Sequence, residues 1–264
     1  MGDTHSFQGQ VALVTGGGEG IGRTIAMALV RQQAGVAICG RRVEELEGTA
    51  DDLVQAGGDV LSIPCDVTRR VDVEHTMKRV SQKFGRLDIL VNNAGASGQT
   101  SIHDPDDSKW QNILQVNLTG SYLVSKLAIP HMLPHHYGRI VNISSVLGRF
   151  GVAGYLAYCT AKHGILGFTK ALALEVASQG ITVNAICPTW VDTAMARKGI
   201  EETAASLGVS PDEFRESAIS MIPIKRMAEA EEVASLVLYL CSHAASAITG
   251  QALNVCGGTT AGTV

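Results

Sequence analysis

The sequence predicts an α/β protein in which one seven-stranded parallel sheet carries helices on both faces, and three observations lead there. Apolar, β-branched runs alternate with longer amphipathic stretches along the chain. The first run leads straight into a glycine-rich turn, and neither a low-complexity linker nor an internal repeat divides the 264 residues. Short continuous apolar runs read as strands buried on both faces, and the amphipathic stretches read as crossover helices. Right-handed crossovers then impose a parallel order. With 45% hydrophobic residues the chain can fill such a core, and its 29 glycines allow the many turns required. The expectation is a single doubly wound, Rossmann-type domain covering residues 1–264.

The strands are expected at Val11 to Thr15, Val36 to Cys39, Val60 to Pro64, Leu87 to Val91, Arg139 to Ile143, Ile181 to Ile186 and Ala252 to Val255. The first ends in Gly16-Gly17-Gly18-Glu19-Gly20-Ile21-Gly22, and helical periodicity follows over 23–30. Glycine tolerates positive φ and lets backbone N–H groups approach a pyrophosphate at the positive end of a helix. A dinucleotide site is the functional reading. A turn that merely packs a helix closely on the sheet is the structural one, and the run holds no literal G-x-G-x-x-G.

After the second strand comes Cys39-Gly40-Arg41-Arg42, and Arg41 stands where an NAD enzyme places a carboxylate against the ribose 2′-hydroxyl. A guanidinium can pair bidentately with a 2′-phosphate, so NADP(H) is the preferred cofactor. NAD(H) stays open if both arginines are ordinary surface cations. Between the sixth strand and a helix beginning near Glu229, residues 189–223 form a connection unusually long for a compact domain. Its apolar side chains, among them Met195, Ile200, Phe214 and Met221, suit either a substrate lid or plain helix packing.

Composition excludes several classes. A formal charge of −4 with both signs interspersed offers no field for a polyanion, so no nucleic-acid partner is expected. The stretch Met1 to Ser6 is polar and acidic where a secretory signal is basic, and the apolar runs are too short and glycine-broken to span a bilayer. A soluble, cytoplasmic protein without membrane partners is the expectation. The six cysteines contain no C-x-x-C pair and read as reduced, mostly buried thiols. His131, His135 and His136 are separated by Pro130 and Pro134, which break the register that a ligating helix face needs, so no metal is expected.

Thr15-Gly16-x-x-x-Gly20-x-Gly22 resembles the cofactor motif of the classical short-chain dehydrogenases/reductases, and further motifs arrive in that family's order. These are Asn92-Asn93-Ala94-Gly95, Asn117, Ser144-Ser145 and Tyr158-x-x-x-Lys162. The resemblance covers nearly the whole chain and implies ketone/secondary-alcohol oxidoreduction. Such a reaction needs a hydride donor on one side of the carbonyl and a proton donor at its oxygen; the nicotinamide supplies the first and the protein the second. Tyr158 would be the acid/base. A phenol with a pKa of about 10 needs a nearby cation before its anion is accessible, and Lys162, one helical turn on, could provide that charge.

By resemblance, Ser145 rather than Ser144 would hold the substrate oxygen, Lys162 would also reach the cofactor ribose, and Asn117 would help retain a water that relays protons past the lysine. The same resemblance implies cofactor contacts at Thr15, Gly16, Gly18, Gly20, Ile21 and Gly22, and at Arg41, Arg42, Asp66, Val67, Asn93, Ala94 and Gly95. It extends them to Tyr158, Lys162, Pro188, Val191 and Thr193, with Ile186 and Pro188 near the nicotinamide ring. The family usually has glycine where this chain has Thr189. The structural alternatives are a turn-capping Ser145, a buried bridging amide at Asn117 and a helix cap at Asp66.

The substrate pocket is expected between the Tyr158 helix and residues 189–223, walled by Ala96, Ser97, Ser145, Leu147, Tyr155, Tyr158, Trp190 and Met195. Tyr155 is expected to carry its hydroxyl to water. Ile222-Pro223-Ile224-Lys225-Arg226 and the stretch 248–258 make the chain resemble 3-oxoacyl and polyketide ketoreductases most, with an acyl thioester among the possible substrates. An NAD-dependent secondary-alcohol dehydrogenase of the hydroxybutyrate, sugar-alcohol or steroid type is the alternative within the enzyme class. A catalytically silent dinucleotide-binding regulatory protein is the alternative outside it. The resemblance also implies a homotetramer, built on residues 106–130, 155–178 and the C-terminal segment.

Overall fold

The computed structural model describes residues 6–261. Residues 1–5, part of the stretch read above as lacking a secretory signal, and residues 262–264 lie outside the described residues. Seven strands, β1 (Val11–Thr15), β2 (Gly35–Gly40), β3 (Val60–Pro64), β4 (Ile89–Asn92), β5 (Gly138–Ile143), β6 (Ile181–Pro188) and β7 (Ala252–Val255), form one sheet in the order β3-β2-β1-β4-β5-β6-β7. Every pairing is parallel. The doubly wound single domain is therefore as expected, with boundary changes of a residue or two.

Alternate side chains along each strand enter opposite layers. Val14, Ile38 and Ile186 pack against Ile25 and Leu29 of α1 (Gly20–Arg31), Leu46 and Leu53 of α2 (Val43–Gln55), and Val233 and Val237 of α9 (Ala230–Cys241). Their neighbours Leu13, Ala37, Leu90 and Ile140 face Met77 of α3 (Arg70–Phe84), Leu123 and Ala128 of α5 (Gly120–Met132), and Ala173 of α6 (Leu156–Val176). Side chains such as Leu13 and Leu29 are wholly buried, and each stabilises the fold by roughly 1.5–3 kcal/mol.

Two expectations are corrected. β3 and β7 are only partly buried, because an edge strand has a neighbour on one side alone. Pro130 lies inside α5 and does not end it. The lost backbone bond falls in the last turns of that helix, where the fully buried Ala128 and Met132 on either side of the proline anchor it to the core. Pro134 does stop the run: it sits in a single 3-10 turn, Leu133–His135, that ends at His136 with φ 47°.

Between β6 and α9 the chain forms two helices, α7 (Ala194–Leu207) and α8 (Pro211–Ser220). α9 starts at a reciprocal cap between Glu229 and Glu232. Strand order reverses between β1 and β4, so the chain leaves those two carboxyl ends in opposite directions and opens a crevice there.

Candidate active site

The crevice is built first from β1 and β4. The Thr15 hydroxyl accepts from the N–H groups of Asn93 (3.0 Å) and Ala94 (2.9 Å), and the Asn93 amide donates back to the carbonyls of Thr15 and Gly16. Gly16 and Gly20 take positive φ of 64° and 50°. A Cβ on Gly22 would lie 2.2 Å from the Gly16 carbonyl oxygen, so only glycine lets α1 begin this close to the turn. A glycine turn at a helix N-terminus, with its backbone left uncrowded by side chains of its own at Gly16, Gly20 and Gly22, fits a pyrophosphate. The residues present therefore fit a dinucleotide.

The rim beyond that turn comes from β2 and β3. Arg41 is exposed and, among the described residues, forms no ion pair, but its charge acts on Asp66. Burial pushes the Asp66 carboxyl up, yet bonds from the Thr68 N–H and hydroxyl, together with Arg41, leave it below its ordinary value. Val67 is buried beneath Gly120, where a Cβ would come 2.7 Å from it. Gly18 meets the start of α2, and its carbonyl accepts from the Thr49 hydroxyl at 2.8 Å. Ile21 is half-buried against the core.

The chemistry-bearing side chains project from β5, α6 and a π-helical segment. Gln115–Thr119 forms a π turn between α4 (Ser108–Leu114) and α5, and it carries Asn117 into the interior. The Asn117 amide donates to the carbonyls of Ala96 (2.7 Å) and Ile113 (2.8 Å), while its Oδ1 is buried without a partner in the protein. That oxygen and Lys162 Nζ lie 3.0 and 4.0 Å from where a Cβ on Gly95 would be, so Gly95 leaves room between them.

Ser145 follows β5 as the cap of a short turn, its hydroxyl accepting from Leu147 N–H at 3.1 Å, and it acts on the Tyr158 phenol to hold its pKa down. Ser144 points away, donating to the Lys162 carbonyl. Lys162 donates to the Ile143 carbonyl at 2.9 Å and lies 5.4 Å from the Tyr158 ring centre.

Burial dominates both titrating groups. It raises the Tyr158 phenol to about 12, against the opposing bond from Ser145, and lowers the Lys162 amine to about 8. Desolvation is the largest influence on the phenol in this arrangement, and the Lys162 ammonium is turned onto a backbone carbonyl. A buried polar relay holds the elements beneath the site. Asn92 donates to Ser125 and to Asn142, and Asn142 donates to Thr169, which joins β4, β5, α5 and α6. The sequence reading missed it, since isolated polar residues in strands and helices give no sign of pairing across the fold.

The α7–α8 hairpin closes one side. Tyr155 is 9% exposed, and its hydroxyl lies 2.9 Å from that of Thr203 on α7. It does not reach water as expected, because α7 covers it. Gln99 makes a second tie to α7, through Ser206 at 3.0 Å. Trp190 packs edge-on against Phe214 of α8, whereas Met195 and Ser97 are exposed and Leu147 and Ala96 half-buried.

Thr189 sits outside the positive-φ region and donates to Val255, so the β-branched residue fits without strain. Pro188 ends β6, and Val191 bridges to Ala228. Thr193 caps α7 and donates to Val191; a Cβ on Gly20 would lie 3.3 Å from its methyl, which brings this segment against the glycine turn.

A glycine turn at the switch point of a doubly wound sheet, together with a half-buried tyrosine and serine and a buried lysine, defines a nicotinamide-dependent oxidoreductase. The chain belongs to the short-chain dehydrogenase/reductase family: the family model described as enoyl-(acyl carrier protein) reductase matches residues 16–260. Among its relatives, a 3-oxoacyl-(acyl-carrier-protein) reductase of Salmonella typhimurium is 37% identical over 253 residues, spanning 96% of this chain and 98% of the relative. Among solved structures, a variant of actinorhodin polyketide ketoreductase with NADPH is 41% identical with TM-score 0.92, covering 98% of this chain and 99% of that one. An NAD+-bound xylitol dehydrogenase is 32% identical with TM-score 0.92, over 96% and 99% of the two chains. No helix among the described residues is long and apolar enough to cross a membrane.

Proposed function

We propose that the protein is an NADPH-dependent ketoreductase acting on 3-oxoacyl or polyketide-type ketones. The observation that carries this reading is the gathering of Ser145 and Lys162 about the Tyr158 phenol, with Gly95 leaving room between Lys162 and Asn117. Likeness to the 3-oxoacyl reductase and to the NADPH-bound polyketide ketoreductase supports the substrate class. Arg41, which is exposed and forms no ion pair among the described residues, supports the 2′-phosphorylated cofactor.

When bound, the cofactor supplies the hydride. Tyr158 keeps its proton on the phenol oxygen up to about pH 12, which is the form that can donate to a carbonyl oxygen as negative charge develops there. Ser145 shares that oxygen's position and orients it beside the phenol. Lys162 holds a proton behind Tyr158, and the open Asn117 Oδ1 is a buried acceptor next to it through which a proton can be replaced. The glycine turn, Asp66, Val67, Asn93 to Gly95, Pro188, Val191 and Thr193 would hold the cofactor. Residues 189–223 act as the substrate lid, tied down through Tyr155–Thr203 and Gln99–Ser206.

An assembly of four copies is part of the proposal. Leu174 on α6 is 85% exposed and Tyr122 on α5 is 45% exposed, an apolar cost that a partner's helices would remove. The six thiols are all free, which suits the cytoplasm. The test is transfer of labelled hydride from NADPH and NADH, in parallel, to 3-oxoacyl thioesters, cyclic ketones and steroid ketones. Label from NADPH in one product class is expected. Transfer from neither cofactor to any ketone would replace this reading with that of a nucleotide-binding protein.

A further inference from the structure

A cavity of about 260 Å³ lies at the amino ends of β5 and β6, at the opposite end of the sheet from the crevice, where His136, Arg139, Thr182, Ser246 and Thr249 line it. None of its lining residues is a carboxylate.

Arg139 is 4% exposed, yet among the described residues it forms no ion pair. A buried charge is costly unless it is paired. Its Nη1 donates to the carbonyls of Gly138 (2.8 Å) and Gly180 (3.4 Å), and the guanidinium lies 4.2 Å from the centre of the Tyr137 ring. Nε is buried without a partner. The carboxylate of Asp88, whose carbonyl accepts from the Arg139 N–H, is committed elsewhere: it accepts from Arg86 at 2.6 and 2.8 Å and from the Val11 N–H at 2.8 Å.

The hydroxyls around this guanidinium keep donors to spare. Thr249 accepts from the Val183 N–H at 3.1 Å, which leaves its own proton to donate. Those of Thr182 and Ser246 make no hydrogen bond among the described residues. The wall is also fixed in place, because Gly180, at φ 79°, packs so close to the His136 carbonyl oxygen that a Cβ would lie 2.1 Å from it.

We propose that this cavity binds a phosphate-class oxyanion, either inorganic phosphate or the phosphate of a monoester, with Arg139 as its counterion and Thr182, Ser246 and Thr249 as hydroxyl donors. The guanidinium fork alone would satisfy a carboxylate's two oxygens, whereas three further donors suit an anion with oxygens in several directions. The bound anion joins β5, β6 and the segment leading into β7, away from the groups that handle cofactor and ketone.

The test is thermal unfolding of the full-length protein titrated with inorganic phosphate, methyl phosphate and acetate at fixed pH and ionic strength. Saturating NADPH is present to occupy the glycine turn and the 2′ position. Phosphate is expected to raise Tm saturably, by about 3–5 °C when it exceeds its dissociation constant about tenfold, and acetate to leave it unchanged. A larger response to methyl phosphate identifies a monoester as the ligand, and a larger response to inorganic phosphate identifies the free ion.

Combining Thr182→Val with Ser246→Ala is expected to weaken phosphate at least about tenfold, since each removes a donor to a charged oxygen. Arg139→Met should abolish the response, and the hydroxyl variants keep the test open if that protein does not fold. The variant comparison locates the effect whether or not the nucleotide binds. A Tm that climbs without saturating and is the same in the hydroxyl variants would overturn the proposal, as a general salt effect. An acetate response equal to that of phosphate would overturn the ligand class.

Discussion

Replacing Lys162 by methionine separates the cost of the site from its use. Lys162 is 5% exposed, and burial lowers its amine from an ordinary 10.5 to about 8. Near neutral pH the folded protein therefore carries a desolvated ammonium. At about 1.4 kcal/mol per pH unit, that displacement costs roughly 3 kcal/mol. Above about pH 8 the folded amine has released its proton while the unfolded chain keeps it until 10.5. The unfolded state then binds more protons, so wild-type stability gains from this group as pH rises across the window.

Methionine has a similar length and no charge, so the variant lacks that gain. It also leaves the Ile143 carbonyl without its donor, at about 1–3 kcal/mol. The two terms nearly cancel at pH 7, and Lys162→Met is expected to be close to wild type in stability there. By about pH 10.5 the balance should have moved toward wild type by roughly 3 kcal/mol. Urea unfolding of both proteins at a series of pH values measures this, because other groups titrate alike in the two and drop out of the difference. A difference that does not vary with pH would refute the buried-ammonium argument, and retained turnover would refute the role proposed for Lys162.

Three further outcomes are expected. Tyr158→Phe should lower turnover by at least about 10²-fold while nucleotide affinity changes only a few-fold, since the phenol hydroxyl serves the proton step; steady-state kinetics with a binding titration check this. Arg41→Asp should weaken NADPH by about 2 kcal/mol and NADH far less, through loss of a charge-assisted pair and added repulsion; an unchanged ratio of the two dissociation constants would reject that role. Gly22→Ala forces a Cβ to within 2.2 Å of the Gly16 carbonyl oxygen, so the turn must move and nucleotide binding should be lost. Calorimetric titration showing wild-type affinity in that variant would contradict the cradle geometry.

The fold was readable because its determinants are local. A strand buried on both faces needs a continuous apolar run, and Val11 to Thr15 or Ile181 to Ile186 cannot satisfy themselves in another way. The glycine turn was legible for the same reason: positive φ at Gly16 and Gly20 and the tight approach at Gly22 leave a residue-type signature in the chain. The edge strands β3 and β7 and the proline inside α5 were misjudged, because exposure at an edge and anchoring by Ala128 and Met132 depend on neighbours distant in sequence.

Candidate site residues could be listed from motif order, but their states could not. Sequence proximity of Tyr158 and Lys162 suggested a phenol eased toward its anion, whereas tertiary burial raises the phenol and lowers the amine. Tyr155 looked solvent-tipped until α7 covered it with Thr203. Arg41 and Arg42 are adjacent in sequence, and only the fold shows that Glu19, on a different loop, pairs with Arg42. Periodicity and residue type are properties of a segment and determine strands, helices and the glycine turn. Desolvation, ion pairing and closure are sums over groups from many segments, and only the folded arrangement brings those groups within reach of one another.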